Sequence, residues 1–332
     1  MEQTRLKIGF VALCDSAPLV VAKERGFFVE QGLVVELSRE PSWANIRDKL
    51  AVGLLDAAQM LAPMPLSATL GLGNVRAPVI TALGLNMGGN AITLSHGLLE
   101  RMEGTSAAAL KAVIDQDRAA GRPPLTLAMV YPFSPHNYEL RLWLAGGGID
   151  PDRDVRLVVV PPPQMVAWLA AGHIAGFCVG EPWNTVAAKL DLGRVVVTGR
   201  DIQDSRIEKV LGVREDWAEQ HPQTHRALLR AVLLACRWVE GNRAETAEII
   251  AQPATLNAPL EVVRSCLEPS AGLSFLTNFP GQSQAAWYLD QMRRWGQLPA
   301  DTDAAAVARQ VYRGDLFRLA AQDLELECPA ED

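Results

Sequence analysis

The sequence predicts an α/β protein of two lobes, and three observations predict it. Strand-type and helix-type segments alternate from the N-terminus, the pattern of a mainly parallel sheet. The 332 residues exceed the usual size of one hydrophobic core. A helix–glycine–strand pattern recurs about 120 residues apart, in Leu50–Ala58 and again in Leu169–Phe177. Each copy is followed by a proline-marked turn, at Pro63 and Pro65 in one case and at Pro182 in the other. Two readings of the recurrence stay open: any helix–glycine–strand unit looks this way, or two lobes share one design.

Leu6 to Val11 reads as the first strand. Pro18 to Arg25 reads as a helix stopped by Gly26, a residue suited to a left-handed cap. Val34 to Leu37 is the second strand. Ser42 then suits the N-cap of a helix from Trp43 to Val52, ended by Gly53. Asp56 to Leu61 and Val79 to Leu83 follow as strands. Ala91 to Ser95 is placed to carry the chain out of the first lobe, and Val195 to Thr198 to carry it back. The segment between holds strands at Leu125–Val130 and Val155–Val160. The last third is helical, over Gln223–Gly241, Arg243–Ala251, Leu260–Cys266, Gln282–Trp295 and Ala304–Arg313. The expected division is residues 1–94 with 199–332 in lobe 1 and 95–198 in lobe 2. Two crossovers leave a cleft at strand ends, where open α/β sheets place ligands.

Composition narrows the function. Hydrophobic residues make up 49% and charged residues 21%, a globular balance. A net charge of -7 argues against a broad nucleic-acid-binding face. No apolar run reaches the roughly 18 residues of a membrane span. Met1–Arg5 leads straight into the first strand without the features of a secretory signal, so the expectation is a cytoplasmic chain. The five cysteines are scattered and lack a C-x-x-C pair, which points to neither a disulfide framework nor a zinc site.

No phosphate-binding loop, dinucleotide fingerprint, nucleophile elbow or H-E-x-x-H pair is present. His221 and His225 sit four apart, but Pro222 between them marks a helix start and makes a metal pair a poor reading. Other segments carry polar groups in apolar settings. Trp43 begins a helix, where free N–H groups favour an anion and the indole adds a donor; simple packing is the plain alternative. His136 sits in the entry turn of a helix after a strand, although a lone histidine is more often structural. Gly180 ends a strand and permits close backbone approach. Glu181 beside it suits an anion site only if it points away or meets a cation. Lys209 can supply a compact positive charge.

These segments together resemble the nitrate-binding proteins of bacterial nitrate and bicarbonate uptake systems, from Leu6 to roughly Arg313. The resemblance is carried by Ala17–Phe28, Ser42–Lys49, Trp143–Ile149 and Gly180–Asn184. It implies a two-lobed, periplasmic-binding-protein-like fold of type II with the ligand in the cleft. It also implies an anion site of Trp43, Asn90, His136, Gly180 through its backbone, and Lys209. Relatives carry the longer glutamine at the place of Asn90, after Gly88-Gly89. Bicarbonate-binding relatives replace the lysine with an acidic residue that helps hold calcium, so Lys209 favours nitrate or nitrite without a metal or other cofactor. Such an anion needs several donors and one positive charge to offset its desolvation. On this reading Lys209→Ala abolishes binding and leaves the fold intact.

The start of the chain at the first strand resembles the cytoplasmic nitrate/nitrite sensors of the NasS type. The resemblance implies a non-enzymatic sensor that holds a NasT-type RNA-binding antiterminator and releases it when the anion binds. Two alternatives stand beside it. One is a solute-binding component or regulatory domain of a nitrate ABC transporter. The other is an enzyme similar to the pyrimidine-precursor synthases of thiamin biosynthesis.

Overall fold

The computed structural model describes residues 1–73, 75–203 and 206–329. The chain divides into two units, one of Met1–Gly88 with Arg206–Asp332 and one of Gly89–Ser205. Strands β1 (Arg5–Val11), β2 (Val34–Glu40), β3 (Ala57–Leu61) and β4 (Val79–Met87) belong to the first unit. The second holds β5 (Asn90–Ser95), β6 (Thr126–Met129), β7 (Arg156–Val159), β8 (Gly176–Gly180) and β9 (Gly193–Thr198). The chain then returns to the first unit as β10 (Ile207–Arg214).

Each unit is built on one five-stranded sheet. The orders are β2-β1-β3-β10-β4 and β7-β6-β8-β5-β9. In both, the strand beside the third is contributed by the chain crossing over from the other unit, and it runs antiparallel to its neighbours. The mainly parallel sheet read from the alternation is therefore a mixed one. The recurring pattern falls on β3 and β8, the central strand of each sheet, so the shared-design reading is the one the topology matches.

The expected division of the chain is corrected here. The units part at 88/89 and 205/206, not at 94/95 and 198/199. β5 is hydrogen-bonded on one side to β8 and on the other to β9, which ties Asn90–Leu94 to the second sheet. Residues 199–203 stay there too: Thr198 and Asp201 form a capping box on the helix Gly199–Ile202. The segment around Lys209 is the inner strand β10, and the helix Glu215–Gln220 follows it.

The local signals work as read. Ser42 caps the helix Trp43–Ala51, its Oγ accepting from the Asn45 N–H at 3.3 Å. Gly26 takes a left-handed φ of 82° directly after the helix Ala17–Glu24 and its C-cap, Arg25. The helix Pro222–Gly241 turns Leu228, Leu229, Val232, Leu233 and Cys236 inward and packs on the helix Ala17–Glu24. The second unit has its own core, with Ile92, Leu94, Leu127, Leu140 and Leu144 among its fully buried members. Among the described residues no helix is long and apolar enough to cross a membrane.

Candidate functional site

In the first unit, three loops and one strand end meet at the carboxyl edge of β1, β2 and β3. The turn Cys14–Ser16 follows β1, the helix Trp43–Ala51 follows β2, and β3 ends at Leu61. Lys209 enters this edge from β10, with its Cα opposite Leu61 on β3 and opposite Asn86 on β4. The β10–β4 register shifts on both sides of Lys209. Such an irregularity re-aims a side chain that a regular ladder would point elsewhere.

Lys209 is fully buried, and so is Trp43. The Lys209 ammonium lies 3.0 Å from Asp15 Oδ2. Asp15 is itself buried, and its Oδ1 accepts from the Gln59 amide nitrogen. Gln59 is fixed in turn, because its Oε1 accepts from the Val11 N–H at 2.9 Å. Burial raises the Asp15 carboxyl above its ordinary value; Lys209 and then Gln59 oppose that rise. An ammonium has three donors and Asp15 accounts for one direction, so Lys209 keeps donor capacity for a ligand. Trp43 Nε1 is buried without a hydrogen-bond partner among the described residues. A buried N–H without a partner is costly, and a bound acceptor relieves that cost.

The second unit gathers its residues at the matching edge. His136 lies in the first turn of the helix Pro135–Gly146, which follows β6, and is fully buried. Ser134 sets that turn: its Oγ accepts from the Asn137 N–H at 3.0 Å and donates to the Tyr131 carbonyl at 2.6 Å. Gly180 is the last residue of β8, and its partner across the ladder is Asn90, the first residue of β5. The Asn90 amide nitrogen stands 3.2 and 3.4 Å from the two oxygens of Glu139. The donor that the resemblance assigns to an anion is thus engaged by a buried carboxylate. Glu139 also accepts from Gln203 Nε2 at 3.2 Å and lies 3.7 Å from Cys178 Sγ. Glu181 beside Gly180 accepts at Oε2 from the Thr185 N–H at 3.1 Å within the next helix.

The structure therefore brings Trp43 and Lys209 to one sheet edge, and His136, Gly180 and Asn90 to the equivalent edge of the other. Sequence reasoning missed Asp15, Gln59 and Glu139. A signal for the first two was available: Asp15-Ser16 interrupts the apolar stretch from Phe10 to Val21, and Gln59 is the single polar residue of Ala57-Ala58-Gln59-Met60-Leu61. Buried carboxylates are rare unless paired, so an acid in such a run asks for a cation. His221 and His225 serve neither edge. Both pack on Trp217, with ring centroids at 5.2 and 6.1 Å. Among the described residues no group of three or more His, Cys, Asp or Glu side chains is placed to hold a metal ion.

Comparison with known proteins gives the chain's family. The NMT1-like family matches residues 1–254. The chain is 41% identical to the nitrate import ATP-binding protein NrtC of Synechocystis sp., over 98% of this chain and 51% of that protein. It is 38% identical to the bicarbonate transport ATP-binding protein CmpC of Synechococcus elongatus, over 98% of this chain and 50% of that one. The chain thus spans about half the length of these two relatives. The crystal structure of the periplasmic nitrate-binding protein NrtA from Synechocystis superposes with a TM-score of 0.92 at 33% identity, covering 99% of this chain and 91% of that one. Family match, identity and fold together show that the chain belongs to the NMT1-like family, among the nitrate/bicarbonate ABC substrate-binding proteins.

Proposed function

We propose that this chain binds nitrate or nitrite. Lys209 and Trp43 on the first unit, and His136, Asn90 and the Gly180 backbone on the second, are the residues that hold the anion. The observation that carries this reading is the pairing of a fully buried ammonium with a fully buried, unpartnered indole N–H at one strand edge. A planar monoanion with three acceptor oxygens meets both needs at once. A cation offsets its charge and oriented neutral donors replace its water. His136 contributes without being charged, because a neutral imidazole still has one N–H. Titration calorimetry is the test. One nitrate or nitrite per chain, with bicarbonate much weaker, is the expected result. No heat with either nitrogen oxyanion would overturn the reading.

The use made of the bound anion is proposed one step further out. In this reading the chain is a cytoplasmic sensor that holds a NasT-type antiterminator and lets it go when nitrate or nitrite binds. The NasS-type resemblance supports it, and the five cysteines are free thiols, four of them buried, as a reducing compartment would keep them. The mechanism requires the anion to prefer the partner-free state, since only differential affinity shifts a population. The names of the relatives favour a second reading, a solute-binding part of a nitrate importer. Size-exclusion chromatography with a NasT-type protein separates the two. A complex that millimolar nitrate or nitrite dissolves supports the sensor; co-elution unaffected by either anion, or none at all, removes it.

A further inference from the structure

We infer that Asp15 is a positioning residue that links anion capture to protons: it fixes the Lys209 ammonium before the ligand arrives, and takes up one proton from solvent when the anion binds. This rests on the nitrate/nitrite reading above and adds to it a residue and a dependence on pH.

The argument begins with charge. Lys209 and Asp15 are both buried and 3.0 Å apart, so their charges already cancel at that edge. A monoanion placed on the ammonium leaves the neighbourhood one negative charge in excess. Uncompensated buried charge is among the costliest features a protein can hold. The excess is removed most simply by adding a proton to the carboxylate, which frees the ammonium to serve the anion alone. Asp15 is built for the change. Its Oδ1 stays anchored by Gln59, which is itself held by the Val11 N–H, so Oδ2, the oxygen facing the ammonium, is the one that takes the proton once the ammonium turns to the anion. Burial already disfavours its ionised form. Nitrate carries no proton to exchange in this pH range, so any proton taken up belongs to the protein.

Other charges near the turn do not displace this assignment. The helices Ala17–Glu24 and Leu260–Leu267 and strand β4 pack against Cys14–Ser16. The helices carry Lys23, Glu24, Glu261 and Arg264, and β4 carries no charged residue. Arg264 is paired with Glu248 at 2.6 Å. β10 adds Glu208 and Arg214 beside Lys209, and Arg214 is paired with Asp216. Among all of these, Lys209 is the charge that acts on Asp15.

Nitrate calorimetry on the full chain, in phosphate and in Tris at the same pH, reads the proton directly. The heat should differ between buffers by an amount equal to about one proton taken up where the linkage is complete, and affinity should rise about tenfold for each pH unit of acidification in that range. Asp15→Asn should give equal heats in both buffers and a flat pH profile, with binding at pH 8 at least as tight as in the wild type. Asp15→Glu, which restores a carboxylate, should restore the uptake. Wild-type binding with buffer-independent heats and a flat profile would overturn the inference. So would uptake that survives in Asp15→Asn, since the proton would then sit elsewhere. Should the asparagine variant fail to fold, the wild-type buffer series and Asp15→Glu still decide. A wild type that binds neither nitrate nor nitrite would instead overturn the anion reading itself.

Discussion

Opposite the last residue of β3 stands Lys209; opposite the last residue of β8 stands Asn90. Both lie near the start of the antiparallel strand that the chain contributes on crossing over. Both face a buried carboxylate supplied by the segment after the second strand in the order of their own sheet, Asp15 after β1 and Glu139 after β6. The layout is common and the chemistry is not. One sheet carries an ion pair braced by a glutamine. The other carries a carboxylate held by two amides and a thiol. A small monoanion calls for one cation, and a second buried one would add desolvation cost without an anion to match it. The difference teaches that the first unit supplies a cation, inside an ion pair, while the second offers only uncharged donors grouped around a carboxylate of its own.

The harshest break of this comparison is Lys209→Met. Nitrate affinity should fall by more than about 100-fold, the size of a lost charge-assisted contact. The fold should suffer as well, by about 3 kcal/mol, because Asp15 is left buried without its partner. This revises the expectation that removing the lysine spares the fold. Lys209→Met combined with Asp15→Asn should recover most of the melting temperature and none of the binding. A single variant as stable as the wild type would show that the pair does not act as a unit.

Two buried histidines extend the contrast, one in each unit. His136 stands at the proposed anion edge, while His225 sits in the helix Pro222–Gly241 against Trp217. Burial, and after it the charge of Arg313, depresses His225 from 6.5 to about 4. Between those values the unfolded chain binds a proton that the folded chain refuses. Stability is therefore full above about pH 6.5 and falls as the pH drops toward 4, by at most about 3 kcal/mol. Denaturant melts across this range should show the slope in the wild type and lose most of it in His225→Leu. Nitrate affinity at pH 7 should be unchanged by His225→Leu and lowered about tenfold by His136→Ala.

The sequence made one half of this picture legible and hid the other. The helix–glycine–strand recurrence and the caps at Ser42 and Gly26 are local signals, and local signals survive without tertiary knowledge. The placing of β10 is not local. Glu208-Lys209 opens that strand with two charged residues, so the apolar run that follows is too short to announce an inner strand. The helices Ala107–Ala119 and Gly314–Asp323 are hard to read for a similar reason, since charged and alanine residues interrupt their apolar spacing. Site residues were legible as candidates through the family resemblance. Their carboxylate partners were not, because pairing Asp15 with Lys209 spans almost two hundred positions and follows from strand order alone.

On the side without a cation the expected effects shrink. Asn90→Ala leaves Glu139 short of one amide donor and should cost about 1–2 kcal/mol of stability. The anion should be weakened less than by Lys209→Met, since no charge is lost. An effect on binding as large as that of Lys209→Met would mean that the two halves contribute alike, and the division into charged and orienting units would have to be given up.

The smallest change isolates a single N–H. Trp43→Phe keeps an aromatic ring in the first turn of the helix Trp43–Ala51 and removes only the indole nitrogen and part of the ring area. Because Nε1 has no partner to lose among the described residues, the stability cost should stay near that of the lost apolar area, about 1 kcal/mol or less. The binding cost should be larger than that, about five- to tenfold in affinity, the size of one neutral hydrogen bond to an anion. Calorimetry set beside a denaturant melt measures both on the same sample. Should stability fall and affinity hold, Trp43 is a packing residue and the ammonium works without the indole. If affinity falls alone, the unpartnered N–H is waiting for the ligand, and the charged unit orients its anion as well as attracting it.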